Sequence, residues 1–265
     1  MNTLHHHDLI ADVIVAESKR MRDLLAVVER VAALTVPVCL IGETGTGKSL
    51  VARTIHLKSQ RCNLPFVEVD CTARTEVAAE SSFFGRARRA STGSSSLRAG
   101  LVAKAGTGTL VINQVAELPH PLQAQVLALI QSGGVTKGGG TKPIKSDVRL
   151  ITTTNKPLEP AVVAGRFRED LYYWISAVSI HLPPLRQRQE DVLVLADHFL
   201  QRSVLLHGKA RKELSRRASD FLVDYSWPGN VRELEEAIER AVVRANGPVI
   251  DLPLLTESCD RRVTV

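Results

Sequence analysis

The chain has 265 residues, with 34 Lys and Arg against 28 Asp and Glu for a formal net charge of +6, 44% hydrophobic residues and 23% charged ones. This is ordinary globular composition, which excludes a mainly disordered chain, and the length suits one large domain or a domain with a smaller appendage. So modest a positive charge permits contact with phosphates or nucleic acid without demonstrating either.

Taken in chain order, Met21, Leu24, Leu25 and Val28 fall on one face of a helix. A short apolar run at 36–41 then reads as a strand, followed by a helix through Leu50 and Ile55. Further strands are expected at 66–69, 109–112, 148–153 and 178–182, and Leu122, Val126, Leu129 and Ile130 mark one face of a helix between two of them. Such alternation predicts an α/β fold, a parallel sheet flanked by helices. Past Pro183-Pro184 only helical spacing remains, through Val192, Leu195, Ala196, Phe199 and Leu200 and then Leu234, Ile238, Ala241, Val242 and Ala245. The expected organisation is an α/β domain over 1–184, a small helical domain over 185–256 and a tail over 257–265. Ser91–Ser96 and Gly138–Gly140 read as exposed loops.

No stretch approaches the roughly 18 uninterrupted apolar residues of a membrane helix, and residues 1–9 do not read as a signal peptide. Cys39, Cys62, Cys71 and Cys259 make no Cys-x-x-Cys pair and no zinc-ligand rhythm, the usage of a reduced cytoplasmic protein. His5, His6 and His7 could bind a metal, but at the chain terminus they read as solvated residues.

The strongest motif is Gly42-Glu43-Thr44-Gly45-Thr46-Gly47-Lys48-Ser49, a complete G-x-x-x-x-G-K-S between a predicted strand and a predicted helix. The glycines let backbone N–H groups turn around a phosphate, Lys48 adds a mobile cation, Ser49 offers a hydroxyl to Mg2+, and the helix N-terminus favours an anion. The expected ligand is a nucleoside triphosphate or diphosphate. Such folds carry a second strand ending in acid, yet the matching run here, Thr109 to Gln114, ends in Asn113-Gln114. Two amides preserve packing and remove charge and basicity. Loss of a positioned general base typically costs about 10²–10⁴ in rate, so the site is expected to bind better than it hydrolyses.

With these come Pro65-Phe66-Val67-Glu68-Val69-Asp70-Cys71, Phe83-Phe84-Gly85, Gly108-Thr109-Leu110, Glu117-Leu118-Pro119, Gly165-Arg166-Phe167-Arg168-Glu169-Asp170-Leu171-Tyr172-Tyr173, Leu182-Pro183-Pro184-Leu185-Arg186 and Trp227-Pro228-Gly229-Asn230-Val231-Arg232-Glu233-Leu234. From about residue 13 to 252, in order and spacing, the chain resembles the AAA+ domain of sigma-54-dependent transcription activators. The resemblance implies a P-loop AAA+ domain with a helical lid, ATP and Mg2+ as ligands, assembly into a ring that is usually hexameric, and remodelling of sigma-54 RNA polymerase. It also implies that Asn155 is the sensor after the fourth core strand, Arg168 a finger reaching a neighbour's γ-phosphate, and Arg232 the lid arginine that reports nucleotide state.

The departures sit at functional points. Asn113-Gln114 replace the family's Asp-Glu, Trp174 falls where a second arginine is common, and Asp70 replaces an asparagine that restrains the catalytic glutamate. The loop that grips sigma-54, usually Gly-Ala-Phe-Thr-Gly-Ala, aligns with Arg89-Ala90-Ser91-Thr92-Gly93-Ser94, so the apolar tip has become Ser91. Arg86, Arg88, Arg89 and Arg98 make its surroundings basic, which suits DNA phosphates or an acidic surface, or equally a solvated loop. About 15 residues follow Ile250, too few for the family's helix-turn-helix, so no DNA-binding domain is expected in this chain.

The leading expectation is therefore an ATP-binding regulator of transcription that self-associates, alone or in a mixed ring, hydrolyses ATP poorly and engages sigma-54 weakly. An active ATPase that remodels sigma-54 polymerase, and a nucleotide-dependent assembly or DNA-contacting protein without catalysis, stay open as alternatives.

Overall fold

The computed structural model describes residues 14–72, 82–83, 85–86, 98–132, 134–136, 143–145 and 147–259. The loop 89–94 and His5–His7 lie outside the described residues.

The chain begins with helix α1 (Lys19–Ala32), strand β1 (Val38–Ile41), helix α2 (Lys48–Leu57) and strand β2 (Phe66–Asp70). Two short pairs, β3 (Gly85–Arg86) with β4 (Arg98–Ala99) and β6 (Gly134–Thr136) with β7 (Pro143–Lys145), flank α3 (Leu101–Ala105), β5 (Thr109–Asn113) and α4 (His120–Ser132). Next come β8 (Arg149–Thr154), α5 (Glu159–Val163), α6 (Glu169–Ile175) and β9 (Ser179–His181). The helical remainder is α7 (Glu190–Leu206), α8 (Arg216–Asp224), α9 (Asn230–Arg244) and α10 (Leu252–Cys259), with a small pair β10 (Glu213–Leu214) and β11 (Val249–Ile250).

The main sheet has the order β2-β5-β8-β1-β9, and every pairing within it is parallel. Each predicted strand is present, within two residues at either end. Parallel strands need crossovers, and the helices predicted between them supply these. The interior strands are buried on both faces, which is why β5 and β8 read as near-continuous apolar or threonine runs.

The described residues form two compact units: one takes Val27–Ile41 and Lys48–His181, the other takes the chain up to Ala26, Gly42–Gly47 and the chain from Leu182 on. The first holds the sheet and a core that includes Val69, Leu110, Ile112, Leu122, Val126, Phe167 and Leu171. In it the buried Arg149 donates to the Val31 and Ala32 carbonyls, 2.8 and 2.9 Å, closing the C-terminal end of α1. Burial lowers its pKa to about 10.

The second unit packs α7 to α10 around the fully buried Trp227, whose indole N–H donates to the Leu222 carbonyl at 2.8 Å. Here the buried Asp191 accepts from the Glu17 and Ser18 N–H groups, both at 2.6 Å, and from the Ser18 hydroxyl at 2.9 Å. Those bonds satisfy donors where α1 begins.

Candidate functional site

The phosphate-loop motif lies in the turn its composition predicts. Gly45 and Gly47 have φ of +81° and +101°, a region side-chain-bearing residues rarely adopt. Beside Gly47 the space is open, for an added Cβ would meet nothing within 4 Å. At Gly45 the reason for glycine is different. A Cβ there would lie 2.1 Å from the Gly229 carbonyl oxygen.

That closeness belongs to a clasp on the loop. The N–H groups of Val231 and Arg232 donate to the Gly45 carbonyl at 3.0 and 3.3 Å. Asn230, fully buried and left-handed at φ +54°, donates from Nδ2 to Glu43 Oε2 (3.1 Å) and the Thr44 carbonyl (3.0 Å), and accepts the Leu185 N–H at Oδ1 (2.8 Å). An asparagine fits twice over, tolerating this backbone and using both ends of its amide. Arg186 holds the Glu43 carboxylate in a fork at 2.7 and 2.6 Å, and the buried Arg188 donates to the Thr46 carbonyl at 2.9 Å. The Arg232 side chain is exposed.

In the sheet unit, Lys48 opens the ten-residue helix α2 and is buried, while Ser49 is exposed in its first turn. Orphan N–H groups at such an end favour an anion. Glycines that free the loop backbone, a lysine and a hydroxyl at a helix start are the residue types that suit a nucleotide's phosphates and its Mg2+. Among the described residues no group of three or more His, Cys, Asp or Glu could hold a metal unaided.

Asn113 ends β5, opposite Asp70 of β2. Its Oδ1 accepts the Thr153 hydroxyl at 3.0 Å, and register places Glu68 of β2 on the same face, one pleat back. Gln114 is left-handed at φ 56°, ψ 53°, an uncommon state for such a residue, and its N–H donates to the Thr153 hydroxyl at 3.2 Å. Glu68 is solvent-accessible, yet the protein around it pushes its pKa up while the Asn113 hydrogen bond and the Arg53 charge pull it back. Asp70, by contrast, uses Oδ1 to accept the Thr72 N–H and hydroxyl at 2.8 and 2.7 Å.

Asn155 follows β8 and is exposed. Arg168 precedes α6; its guanidinium forks onto Asp170 at 3.0 and 2.7 Å, and that carboxylate raises its pKa. Trp174, on α6, is 41% exposed.

The chain matches the family model described as the sigma-54 interaction domain over residues 14–181 and that of the AAA+ ATPase lid domain over 186–264. It belongs to the sigma-54 interaction domain family. It is similar to the regulatory protein AtoC of Escherichia coli, 42% identical over 91% of this chain and 53% of that protein, and to the transcriptional regulatory protein XylR of Pseudomonas putida, 42% identical over 86% and 40%. Among solved structures it is similar to NtrX from Brucella abortus in complex with ATP, with a TM-score of 0.85 and 32% identity over 93% of this chain and 55% of that one. The chain thus spans about half the length of these relatives. The AAA+ P-loop fold and helical lid expected from the motifs are those of the family.

Sequence reasoning missed Arg188 and Thr153 altogether, and it read Glu68, Arg186 and Asn230 as parts of motifs without giving them a task. For Asn230 a signal was present, an asparagine following Pro-Gly, a setting that favours a left-handed backbone.

Proposed function

We propose that the chain is the ATP-binding AAA+ module of a sigma-54-type transcription regulator and that it binds Mg·ATP well but hydrolyses it weakly or not at all. The domain scheme is an α/β nucleotide-binding part over 1–184 and a lid over 185–256. The observation that carries the reading is the contrast between a complete phosphate loop and the amide pair that ends β5. Gly42–Gly47 supply the backbone cradle, Lys48 the mobile cation and Ser49 a hydroxyl for the metal. Mg2+, when bound, neutralises β- and γ-phosphate charge. Gln114 cannot take a proton from an attacking water near neutral pH, and an amide at 113 brings no charge of its own to the outer support of the metal.

Asn155 is proposed as sensor and Arg232 as the lid arginine. Arg168 must leave Asp170 to act on a neighbour's nucleotide, and Trp174 offers no second guanidinium. Self-association into a ring, hexameric or mixed with a related activator, follows from the family, as does a cytoplasmic setting. No helix among the described residues is long and apolar enough to cross a membrane. Engagement of sigma-54 is proposed to be impaired, because Ser91 stands in Arg89-Ala90-Ser91-Thr92-Gly93-Ser94 where the family presents phenylalanine. Equilibrium titration with a fluorescent ATP analogue, with and without Mg2+, tests the first half of the reading. Saturable binding that is lost in Lys48→Ala is expected; no binding, or binding unchanged in that variant, overturns it.

A further inference from the structure

The acid missing from the end of β5 has a neighbour. Register pairs Glu68 with Val111 and Asp70 with Asn113, so alternation puts Glu68, Asp70, Val111 and Asn113 on one face of the sheet. Helix α2 lies over that face: His56 of α2 meets the Thr109 hydroxyl at 2.9 Å and packs with its ring tilted against Phe66 at 5.1 Å, and Arg53 sits 5.9 Å from the centre of the same ring. Ser49, Arg53 and His56 lie on successive turns of one stripe of α2. Arg53 acts on Glu68 electrostatically, and Ser49, the motif's metal residue, is one turn nearer the helix start.

We propose that Glu68 supplies, from β2, the carboxylate that Asn113 has lost, and that it is a positioning residue for the Mg2+ of the bound nucleotide. This inference rests on the nucleotide-binding reading and deepens it. Asn113 can serve two neighbours: its oxygen accepts the Thr153 hydroxyl at 3.0 Å, which leaves its amide N–H groups for the Glu68 carboxylate on the same face, and that carboxylate when ionised can only accept. An aspartate at 113 would set two carboxylates against each other, whereas an amide at 113 and an acid at 68 are complementary. The substitution in β5 therefore moves a negative charge by one side chain and does not delete it. Asp70 is less suited, because its Oδ1 is committed to Thr72. Glu68 is accessible to solvent, as a group that accepts hydrogen bonds from metal-bound water must be. It does not stand in for the base at 114, so the retained charge serves binding and leaves hydrolysis weak.

The experiment titrates MgCl2 into the intact protein with a fluorescent, non-hydrolysable ATP analogue and compares wild type, Glu68→Gln and Glu68→Gln/Asn113→Asp. Outer-shell partners of a metal typically change its affinity by about 10–100-fold. Glu68→Gln should raise half-saturating Mg2+ by about tenfold or more and leave the affinity in EDTA within about twofold, and the double variant should recover most of the Mg2+ response. An unchanged Mg2+ midpoint in Glu68→Gln overturns the proposal. So does a loss equally large in EDTA, which is what a purely structural Glu68–Arg53 pair would give. Should Glu68→Gln fail to fold, the double variant decides alone: a recovered Mg2+ response supports the proposal and an absent one overturns it. A wild type that binds no analogue sinks the nucleotide reading and this inference together, whereas Mg2+-dependent binding by wild type with an indifferent Glu68→Gln sinks only the inference.

Discussion

The phosphate loop and the end of β5 have fared differently. In Gly42–Ser49 every position the motif requires is filled, and the loop is held by Arg186, Arg188 and Asn230, which lie 142 to 187 residues away in the chain. At the end of β5 stand two amides, Asn113 and Gln114, which carry no charge, and hydrogen bonds with the Thr153 hydroxyl keep the strand end in order. The loop works through its backbone, and a Cβ at Gly45 would strike the Gly229 carbonyl, so change there disrupts structure. The strand end works through charge and basicity, and an amide replaces a carboxylate with almost no change of shape. On the proposed reading, chemistry is lost at one place while the binding scaffold survives at the other.

The largest effect should come from reversing the amides. Asn113→Asp with Gln114→Glu should raise phosphate release by about 10²–10⁴, the usual worth of a general base. If Glu68 already serves the metal, Gln114→Glu alone should carry most of that gain. Recovery should be incomplete, because fingers contribute about 10³–10⁵ in related NTPases and Trp174 still stands where a second arginine is common. Adding Trp174→Arg should raise turnover further, and only at concentrations where subunits associate. Steady-state release across protein concentration checks all three. A double variant that binds ATP, assembles and still releases no phosphate would break the comparison.

The next effect concerns the clasp. Asn230→Ala strips the partner from the Leu185 N–H in a buried turn and puts alanine on a left-handed backbone. At roughly 1–3 kcal/mol for a buried group left unsatisfied and about 1–2 kcal/mol for the left-handed backbone, the variant should lose about 2–4 kcal/mol, which lowers Tm by about 5–10 °C in a chain of this size. Differential scanning calorimetry reads it. A Tm shift below about 1 °C would mean that the clasp does not hold the loop.

The smallest effect lies at the opposite end of β5. Burial, with the charges of Arg149 and Arg53, lowers the pKa of His56 below its usual 6.5. The unfolded chain then binds a proton more readily than the folded one. Stability from this group is complete above about pH 6.5 and falls as pH drops from there toward the folded value. His56→Gln should flatten that slope in urea unfolding between pH 7 and 5. His198, also lowered by burial, keeps its own share. An unchanged slope would contradict the assignment.

The sheet and lid were legible because their signals are local. Apolar runs at 36–41 and 109–112 and the stripe from Leu234 to Ala245 declare strand and helix by periodicity alone, and Gly42–Ser49 declares its ligand by spacing. That Asn113 and Gln114 stand at the end of β5 was legible from the apolar run before them. Glu68 was not, because one glutamate in an alternating strand reads as a solvent-facing residue until register sets it on the face of Asn113, level with Val111. Nor was the clasp, whose members are far apart in sequence.

The central claim, a cradle kept and a base lost, is tested most directly in one sample. Wild-type protein in molar excess over Mg·ATP is followed for bound nucleotide and for released phosphate. The account predicts that nearly all ATP is bound, in a manner abolished by Lys48→Ala, and that it stays intact far longer than in Asn113→Asp/Gln114→Glu under the same conditions. Prompt conversion of the bound ATP to ADP and phosphate by wild type, eliminated by Lys48→Ala, would contradict it.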